Sequence, residues 1–497
     1  MSMIKVENLT FSYPAGEDDV FENISFQIDT DWKLGLIGRN GRGKTTLLKL
    51  LMGQYEYRGK IISSVIFDYF PYEVPDKEKM TGDVLSEICP QAADWELNRE
   101  LSALAVNGDV LTRPFSTLSG GEQTKVLLAA LFLKEGNFLL IDEPTNHLDE
   151  KAREMVSAYL NRKKGFILVS HDRYFLDGCV DHILSINRSD IQVTSGNFSV
   201  WYENFMRQQS FEESENEKLS RQVADLQRAA GRTAGWSRKT EASKFGNGPV
   251  DRGYIGHKSA KLMKRVKAAE NRQQRALEEK KGLLRNREQT EGLKIEPLPY
   301  FTDRLFSFTA AAPVFDGHEI CRPVTFECRS GDRIALDGGN GSGKSSLLKL
   351  LAGQDIPHSG SVKIGSGLIV SYIPQDMSGL RGNLSAFARD AGIDESLFLM
   401  MLRKLGFPRL QFEKDMASYS AGQRKKVLLA RSLCQRAHLY VWDEPLNYID
   451  IASRIQIEDL IRSACPTLIF VEHDRAFREA AATKVVEVIR QNRPKEC

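Results

Sequence analysis

The same set of short motifs occurs twice in this chain, about 300 residues apart. A glycine-rich loop of the form GxxxxGK[ST] occupies residues 38–45 and again residues 338–345, an offset of 300. Three more motifs recur in the same order at offsets of 301, 301 and 302: Ser119 with Ser420, Asp142-Glu143 with Asp443-Glu444, and His171 with His473. Chance does not keep four motifs in register, so the pattern predicts that a whole domain is duplicated.

Short apolar runs surround these motifs in both copies. Residues 34–37 lead directly into the first glycine loop, and residues 45–51 continue from it with helical character. Strand, loop and helix in that order are the context that a phosphate-binding loop requires. The runs at 138–141, 166–169, 333–336, 439–442 and 467–470 are typical of buried strands in a parallel sheet. The sequence therefore predicts two α/β ATPase domains, at residues 1–204 and 293–497.

The segment between these domains, residues 205–292, has a different pattern. A narrow apolar stripe at helical spacing precedes a turn rich in glycine, and a similar stripe follows it. The stripe residues are Leu219, Val223, Leu226 and Ala230, then Leu262, Val266, Ala269, Ala276 and Leu283. This arrangement predicts a long α-helical hairpin. A flexible linker of solvated charge is the alternative.

Charge is distributed unevenly along the chain. The net charge is +2, but residues 221–290 hold 18 Lys and Arg against 7 Asp and Glu, a balance of +11, which leaves −9 for the remainder. Such a division predicts an element that binds a polyanion, mounted on an acidic body. Basic side chains neutralise phosphates and aromatic rings stack on bases, so we predict that the hairpin tip contacts RNA. The predicted contacts are Trp236, Lys244, Phe245, Arg252 and Tyr254. Phe245 and Tyr254 could instead pack on each other.

Some classes of protein are disfavoured by composition. No apolar run approaches the roughly 20 residues that a membrane-spanning helix needs. The seven cysteines form no CxxC pair, which disfavours a zinc site or a disulfide framework. We therefore expect a cytoplasmic protein with no membrane partner.

The repeated motifs indicate hydrolysis of ATP with Mg²⁺. Glycines let backbone N–H groups surround phosphate oxygens, while the loop lysine contacts the β- and γ-phosphates. The predicted ATP-binding residues of the two loops are Gly38, Arg39, Asn40, Gly41, Arg42, Gly43, Lys44, Thr45 and Thr46, then Gly338, Gly339, Asn340, Gly341, Ser342, Gly343, Lys344, Ser345 and Ser346. The predicted metal ligands are Thr45, Asp142, Ser345, Gln375 and Asp443, which offer the oxygen atoms that Mg²⁺ prefers.

Carboxylates and histidines that follow the apolar runs are the predicted catalytic residues. Glu143 and Glu444 come directly after the aspartates, where each can act as a general base toward the attacking water. His171 and His473 each follow another apolar run and can contact the γ-phosphate and that water. Alone, either histidine would more often be structural, and the whole motif set gives them a catalytic interpretation.

The run LSGGEQ at 118–123 resembles the signature loop of ABC ATPases, as do NHLD at 146–149 and SHD at 170–172. The resemblance implies a head-to-tail sandwich of two nucleotide-binding domains within a monomer. The first ATP site would combine the first phosphate loop with the second signature, and the second site would combine Lys344 with Ser119. It thus adds six ATP-binding residues: Ser119, Gly120, Gly121, Ser420, Ala421 and Gly422.

Two cytosolic halves and a helical hairpin on one chain resemble the ABC-F group. The runs GRNGRGK at 38–44, GQRKKV at 422–427 and WDEPLNYID at 442–450 are similar to the Lsa-type resistance members. The resemblance implies binding to the ribosomal E site, with the hairpin moved toward the peptidyl-transferase centre to release lincosamides, streptogramin A or pleuromutilins. Its implied partners are 23S ribosomal RNA and P-site tRNA. A housekeeping ABC-F translation factor, a DNA-structure-binding ATPase and a transporter energy subunit are the alternatives.

The two copies also differ from each other. Tyr72 stands where the second copy has Gln375, and Ala421 replaces the first glycine of the second signature. We therefore expect the two sites to hydrolyse ATP at different rates. Tyr13 is a candidate for stacking on adenine in the first site, and Phe315 is a weaker candidate in the second.

Overall fold

A computed structural model describes residues 2–14, 19–134, 136–146, 148–187, 190–211 and 292–491, together with isolated positions between 214 and 275. These residues form two compact units, of which the first holds both motif-bearing halves and the second holds the segment between them. The predicted tip contacts Trp236, Lys244, Phe245, Arg252 and Tyr254 lie outside the described residues.

Each half is built on a mainly parallel sheet. The strand that precedes the glycine loop is an interior strand of that sheet. The strands of the first sheet are β3 (Lys33–Ile37), β5 (Ile66–Phe70), β6 (Asn137–Asp142), β7 (Phe166–Val169), β8 (His182–Ile186) and β9 (Ile191–Ser195). Those of the second are β13 (Arg333–Asp337), β15 (Val370–Ile373), β16 (Leu439–Asp443), β17 (Leu468–Val471) and β18 (Lys484–Glu487). The order of neighbouring strands is β5-β6-β7-β3-β8-β9 in the first half and β15-β16-β17-β13-β18 in the second.

A smaller antiparallel sheet accompanies each parallel one. In the first half its order is β2-β1-β4, and in the second half β10 pairs with β11, β12 and β14. The strands are β1 (Met3–Phe11), β2 (Phe21–Asp29), β4 (Arg58–Ile62), β10 (Arg304–Phe315), β11 (His318–Glu319), β12 (Val324–Arg329) and β14 (His358–Ile364). Their alternating burial, clearest in β2, is the period-two pattern of a sheet with one face against the core.

Helices cover the sheets and carry the signature serines at their N-termini. The first half has helices Lys44–Leu51, Thr81–Ile88, Asp94–Ala103, Gly120–Leu131, Glu150–Asn161 and Arg173–Cys179. The second has Lys344–Leu351, Leu384–Asp390, Glu395–Lys404, Ala421–Cys434, Ile451–Ala464 and Arg475–Ala481. We call Gly120–Leu131 and Ala421–Cys434 the first and second signature helices. Each begins after a serine whose hydroxyl accepts a hydrogen bond from the helix backbone, as N-cap serines do.

The predicted α/β fold is confirmed, and the predicted strand boundaries are within one residue of those observed. The reason is that these strands are buried on both faces and are therefore continuously apolar. Because β3, β6 and β7 are adjacent and parallel, the phosphate loop, the carboxylate pair and the histidine emerge at one edge of the sheet. The second half repeats this arrangement with β13, β16 and β17.

In the segment after the first half, residues 198–211 are helical. Within the described part of the chain, no helix combines the length and apolar character needed to cross a membrane.

Candidate functional site

The first phosphate loop faces the second signature helix across a cavity of about 450 Å³. From the first half the cavity is lined by the predicted residues Asn40, Gly41, Gly43, Lys44, Thr45, Thr46, Asp142, Glu143 and His171. From the second half it is lined by Ser420, Ala421 and Gly422, with Gln423, Lys426 and Tyr448 beside them. The structure therefore brings the two sets of predicted ATP-binding residues together across the boundary between the halves.

The backbone of the first loop is shaped by its glycines. Gly41 and Gly43 have φ of 82° and 85°, a left-handed conformation that side chains with a Cβ disfavour. A helix follows at once from Lys44, so its free N–H groups point toward the loop and suit an anion. The buried Lys44 ammonium donates to the Gly38 carbonyl at 2.8 Å, and burial lowers its pKa. Gly38, Arg39 and Arg42 belong to the same loop but do not line the cavity.

The strand ends supply the acidic and imidazole groups of the first site. The Thr45 hydroxyl donates to Asp142 Oδ2 at 2.7 Å, and the Tyr69 hydroxyl donates to the same oxygen at 3.1 Å. Glu143 has a φ of 50°, a strained conformation for a residue other than glycine, and its Oε1 lies 3.4 Å from His171 Nε2. Burial, assisted by Asp142, raises the pKa of Glu143 to about 7. Burial and the positive charge of Lys44 hold the pKa of His171 well below its usual value, so this imidazole is neutral.

Direct contacts between the halves close one side of this site. The Asn40 amide donates to the Tyr448 carbonyl at 2.7 Å, and Asn40 Oδ1 lies 3.1 Å from His171 Nε2. Gly422 packs so tightly that a Cβ there would come within 2.7 Å of the Tyr448 carbonyl oxygen. Beside them, Lys426 forms a buried ion pair with Asp450 at 2.8 Å. The first loop is thus positioned against the segment that follows the carboxylate pair of the other half.

The second site is the larger of the two, with a cavity of about 910 Å³. The predicted residues that line it are Asn340, Gly341, Ser342, Gly343, Lys344, Ser345, Ser346, Gln375, Glu444 and His473 from the second half, and Ser119, Gly120 and Gly121 from the first. Of the predicted residues, Gly338, Gly339 and Asp443 lie outside the lining. Tyr448 lines both this cavity and the first one.

The chemistry of the second site follows the same plan. The Ser345 hydroxyl donates to Asp443 Oδ1 at 3.1 Å, while the Gln375 amide donates to Glu444 Oε2 at 2.9 Å. Glu444 Oε1 lies 3.7 Å from His473 Nε2, and burial lowers the pKa of His473 to about 3. Lys344 donates to the carbonyl oxygens of its own loop, as Lys44 does. Both sites therefore pair a partly buried carboxylate with a neutral imidazole.

Magnesium fits the oxygen atoms at these strand ends. In each site a hydroxyl and a carboxylate already approach each other, through Thr45 with Asp142 and Ser345 with Asp443. The second carboxylate oxygen of Asp443, Oδ2, is buried and has no hydrogen-bond partner among the described residues. Burial also raises the pKa of Asp443 to about 6, a destabilisation of the anion that a bound cation would relieve.

The two candidates for adenine stacking lie in different surroundings. Tyr13 packs on Phe11 and Tyr55, and its hydroxyl is 2.7 Å from the Thr46 hydroxyl, but Tyr13 does not line the first cavity. Phe315 lines the second cavity and is 46% exposed. The surroundings of Phe315 therefore suit stacking on a base better than those of Tyr13.

Tyr72, which replaces the glutamine of the second copy, is turned away from the first cavity. Its hydroxyl donates to Asp68 at 2.7 Å, and Asp68 also pairs with Lys134 at 3.0 Å. The side chain that approaches Asp142 is Tyr69 instead. Tyr72, at the position equivalent to Gln375, is therefore absent from the residues that line the first cavity.

Several residues at the boundary between the halves were not assigned a role from sequence. Tyr448, Asp450 and Lys426 contact the first site, and Arg153 donates to the His473 carbonyl at 3.2 Å from the opposite half. Residues 447–450 correspond to residues 146–149 of the first copy. This correspondence alone does not say which half residues 447–450 contact. That information comes only from the assembled fold.

A family model described as ABC transporter matches residues 21–146 and 321–447 of this chain. Among curated proteins, the ribosome protection protein VmlR of Bacillus subtilis (strain 168) is 27% identical over 479 residues, covering 94% of this chain and 84% of that protein. The ATP-binding protein Uup of Buchnera aphidicola subsp. Acyrthosiphon pisum (strain APS) is 28% identical over 514 residues, covering 97% and 80%.

Solved structures share the fold across almost the whole chain. The archaeal ribosome recycling factor aABCE1, in complex with the ribosomal stalk protein aP1, has a TM-score of 0.62 and 18% identity, covering 97% of this chain and 87% of its own. A structure titled RNase-L Inhibitor has a TM-score of 0.62 and 19% identity, covering 97% and 87%. At this level of identity the similarity establishes the fold alone.

Proposed function

Because this chain belongs to the ABC transporter family, and is an ATPase, we propose that it closes on two ATP molecules and, in that closed state, protects the ribosome. One observation carries the proposal. Each cavity joins the phosphate loop of one half to the signature serine of the other, so ATP bound there bridges the halves. An ATPase built in this way converts nucleotide binding into closure of two domains.

The proposed chemistry starts with phosphate binding. The loop N–H groups and the lysine hold the β- and γ-phosphates, and the opposite serine completes the contact at the N-terminus of its helix. Glu143 and Glu444 each accept a proton from the attacking water, while the neutral imidazoles of His171 and His473 orient it. Mg²⁺ would be held by Thr45 and Asp142 or by Ser345, Asp443 and Gln375, and it supplies charge neutralisation for the phosphates.

Loss of the γ-phosphate removes the bridge between the halves. Among the described residues, the direct contacts that then remain include the Arg478 guanidinium on both Glu150 carboxylate oxygens at 2.7 Å, the Asn40 amide on the Tyr448 carbonyl, and a largely buried ion pair of Arg173 with Glu458. Polar groups of this kind regain water when they separate, so their net contribution to holding the halves together is modest. We therefore propose that hydrolysis lets the halves separate and ends the protective state.

The proposal of a ribosomal target is supported by the similarity to VmlR, whose name states ribosome protection, and by the +11 charge balance of residues 221–290. We propose that this segment approaches 23S ribosomal RNA and P-site tRNA from the E site, as in the ABC-F group and its Lsa-type members. The predicted outcome is release of lincosamides, streptogramin A and pleuromutilins. With this target we propose a cytoplasmic location.

Expression in a susceptible bacterium tests the proposal. We expect raised minimum inhibitory concentrations for lincosamides and pleuromutilins and little change for macrolides, because the proposed action is at the peptidyl-transferase centre. The Glu143→Gln/Glu444→Gln variant serves as the inactive control at equal expression. If the minimum inhibitory concentration rises for none of the drugs, while the control variant affects growth as expected, a housekeeping translation factor is favoured. Failure to co-sediment with ribosomes would remove the ribosomal target.

The two ATP sites are expected to turn over at different rates. The second site has Gln375 bonded to Glu444, whereas in the first site the corresponding Tyr72 bonds to Asp68. We expect Glu444→Gln to leave a slower enzyme than Glu143→Gln, by roughly 10-fold, because the remaining first site lacks the glutamine that orients its catalytic carboxylate. Steady-state phosphate release by each single variant measures this. Equal residual rates would contradict it.

A further inference from the structure

Lys425 is a fully buried ammonium that the mechanism above does not use. It lies on the second signature helix and is only 1% exposed, which is rare for lysine. Its Nζ donates to the Pro374 carbonyl at 3.2 Å and to the Asp443 carbonyl at 3.1 Å. Because an isolated buried charge is strongly unfavourable, its retention at this position requires these acceptors and the nearby acidic groups.

The two carbonyls that hold Lys425 adjoin the working groups of the second ATP site. Pro374 directly precedes Gln375, and Asp443 directly precedes Glu444. Gln375 and Glu444 are hydrogen-bonded to each other, and both line the second cavity. The ammonium therefore fixes the distance between the two chain segments that carry this pair. Burial lowers the pKa of Lys425 to about 8, although the negative charges of Glu472, Asp443 and Glu444 oppose that shift.

The same helix also serves the other ATP site. Ser420, at its N-terminus, lines the first cavity, and Lys425 lies only five residues further along. At 1.5 Å per residue the two positions are about 7 Å apart along a rigid helix. A shift of the Gln375–Glu444 pair in the second site would therefore move the serine that completes the first.

Among the described residues of the first half, no such connection is found. At the corresponding position of the first signature helix stands Thr124, whose hydroxyl donates to the Gly120 carbonyl of its own helix at 2.9 Å. The next residue, Lys125, approaches Met155 Sδ at 3.7 Å. A side chain thus connects the second signature helix to the second ATP site, and Thr124 makes no comparable connection between the first signature helix and the first site.

We propose that Lys425 is a positioning residue that ties the second signature helix to Gln375 and Glu444, so that the state of the second ATP site is passed to the first. This inference rests on the proposed assignment of the two ATP sites and does not depend on a ribosomal target. The coupling then runs from the second ATP site to the first. Coupling in the opposite direction would need a comparable side chain in place of Thr124.

Site-specific turnover tests the proposal. The Glu143→Gln background leaves only the second site active, and the Glu444→Gln background leaves only the first. In the first of these backgrounds we expect Lys425→Met, which keeps the length of the side chain but removes the charge, to lower kcat by about 10- to 100-fold with KM changed by less than about twofold. In the other background we expect a smaller fall in kcat, of about 3- to 10-fold, through Ser420.

Two further variants separate positioning from simple packing. Lys425→Gln keeps an uncharged N–H donor group and should give an intermediate kcat in both backgrounds, while Thr124→Val should change kcat in neither. A fall confined to one site, or a KM that rises in step with the loss of kcat, would overturn the proposal. A wild-type chain that fails to hydrolyse ATP would instead defeat the assignment of the two sites.

Discussion

The variant Glu143→Gln/Glu444→Gln is expected to lose ATP turnover by about 10²- to 10⁴-fold while it still binds ATP. Each carboxylate lies at the end of a buried strand in a strained left-handed conformation, with φ of 50° and 48°. Glutamine has the same shape but cannot accept the proton of the attacking water. The phosphate loops and the signature serines are unchanged, so closure on ATP should persist. Phosphate release and binding of a fluorescent ATP analogue measure the two properties.

The same variant has a consequence for the proposed target. Because we propose that hydrolysis ends the closed state, the double variant should remain on ribosomes in the presence of ATP and slow growth when expressed. Glu154→Gln is a suitable control, since that side chain is 66% exposed and contacts Arg475 only at 4.0 Å. Turnover that survives in the double variant would show that another group is the base. Turnover that is lost together with ATP binding would assign the glutamates to binding instead.

Removing the Arg454 side chain is expected to destabilise the fold strongly. Arg454 is buried, donates to Asp474 and to the carbonyls of Leu446 and Ile449, and so fixes the loop that follows the carboxylate pair. Arg454→Ala would leave the buried Asp474 charge without its partner at 2.6 Å, and only the more distant Arg173, at 4.0 Å, would remain beside it. We expect the free energy of unfolding to fall by about 3–5 kcal/mol, the range for breaking a buried ion pair from one side. Urea denaturation followed by intrinsic fluorescence measures it.

Arg475→Ala is the matched control for this experiment. Arg475 is about half exposed and pairs with Glu479 one helical turn away, so its removal should change the free energy of unfolding much less than removal of Arg454. Asp474→Ala and the Arg454→Ala/Asp474→Ala double variant complete a cycle, in which the double loss should be smaller than the sum of the single losses. Equal effects of Arg454→Ala and Arg475→Ala would contradict the role given to the buried pair.

Much of the architecture could be predicted because the duplicated motifs and the buried strands are local patterns. The runs 138–141 and 166–169 are continuously apolar, and their boundaries are marked by the polar residues that follow. The general positions of Glu143 and His171 follow from the same logic, since the ends of parallel strands meet at one edge of a sheet.

What the sequence could not supply are contacts between residues far apart in the chain. Nothing near Asn40 indicates that its amide meets the carbonyl of Tyr448, more than 400 residues away. Nor does the sequence show that the Tyr72 hydroxyl donates to Asp68 and that the Tyr69 hydroxyl donates to Asp142. Lys425 was one of three consecutive cationic residues, and a run of that kind is usually solvated. Only the packed helix reveals that its ammonium is buried.

The contact between Asn40 and Tyr448 bears on how long a working cycle lasts. Both residues line the smaller cavity, where a Cβ added at Gly422 would come within 2.7 Å of the Tyr448 carbonyl oxygen. We expect this contact to slow the departure of ADP from the first site until the halves separate. The dwell on a bound target would then depend on ADP release as well as on hydrolysis.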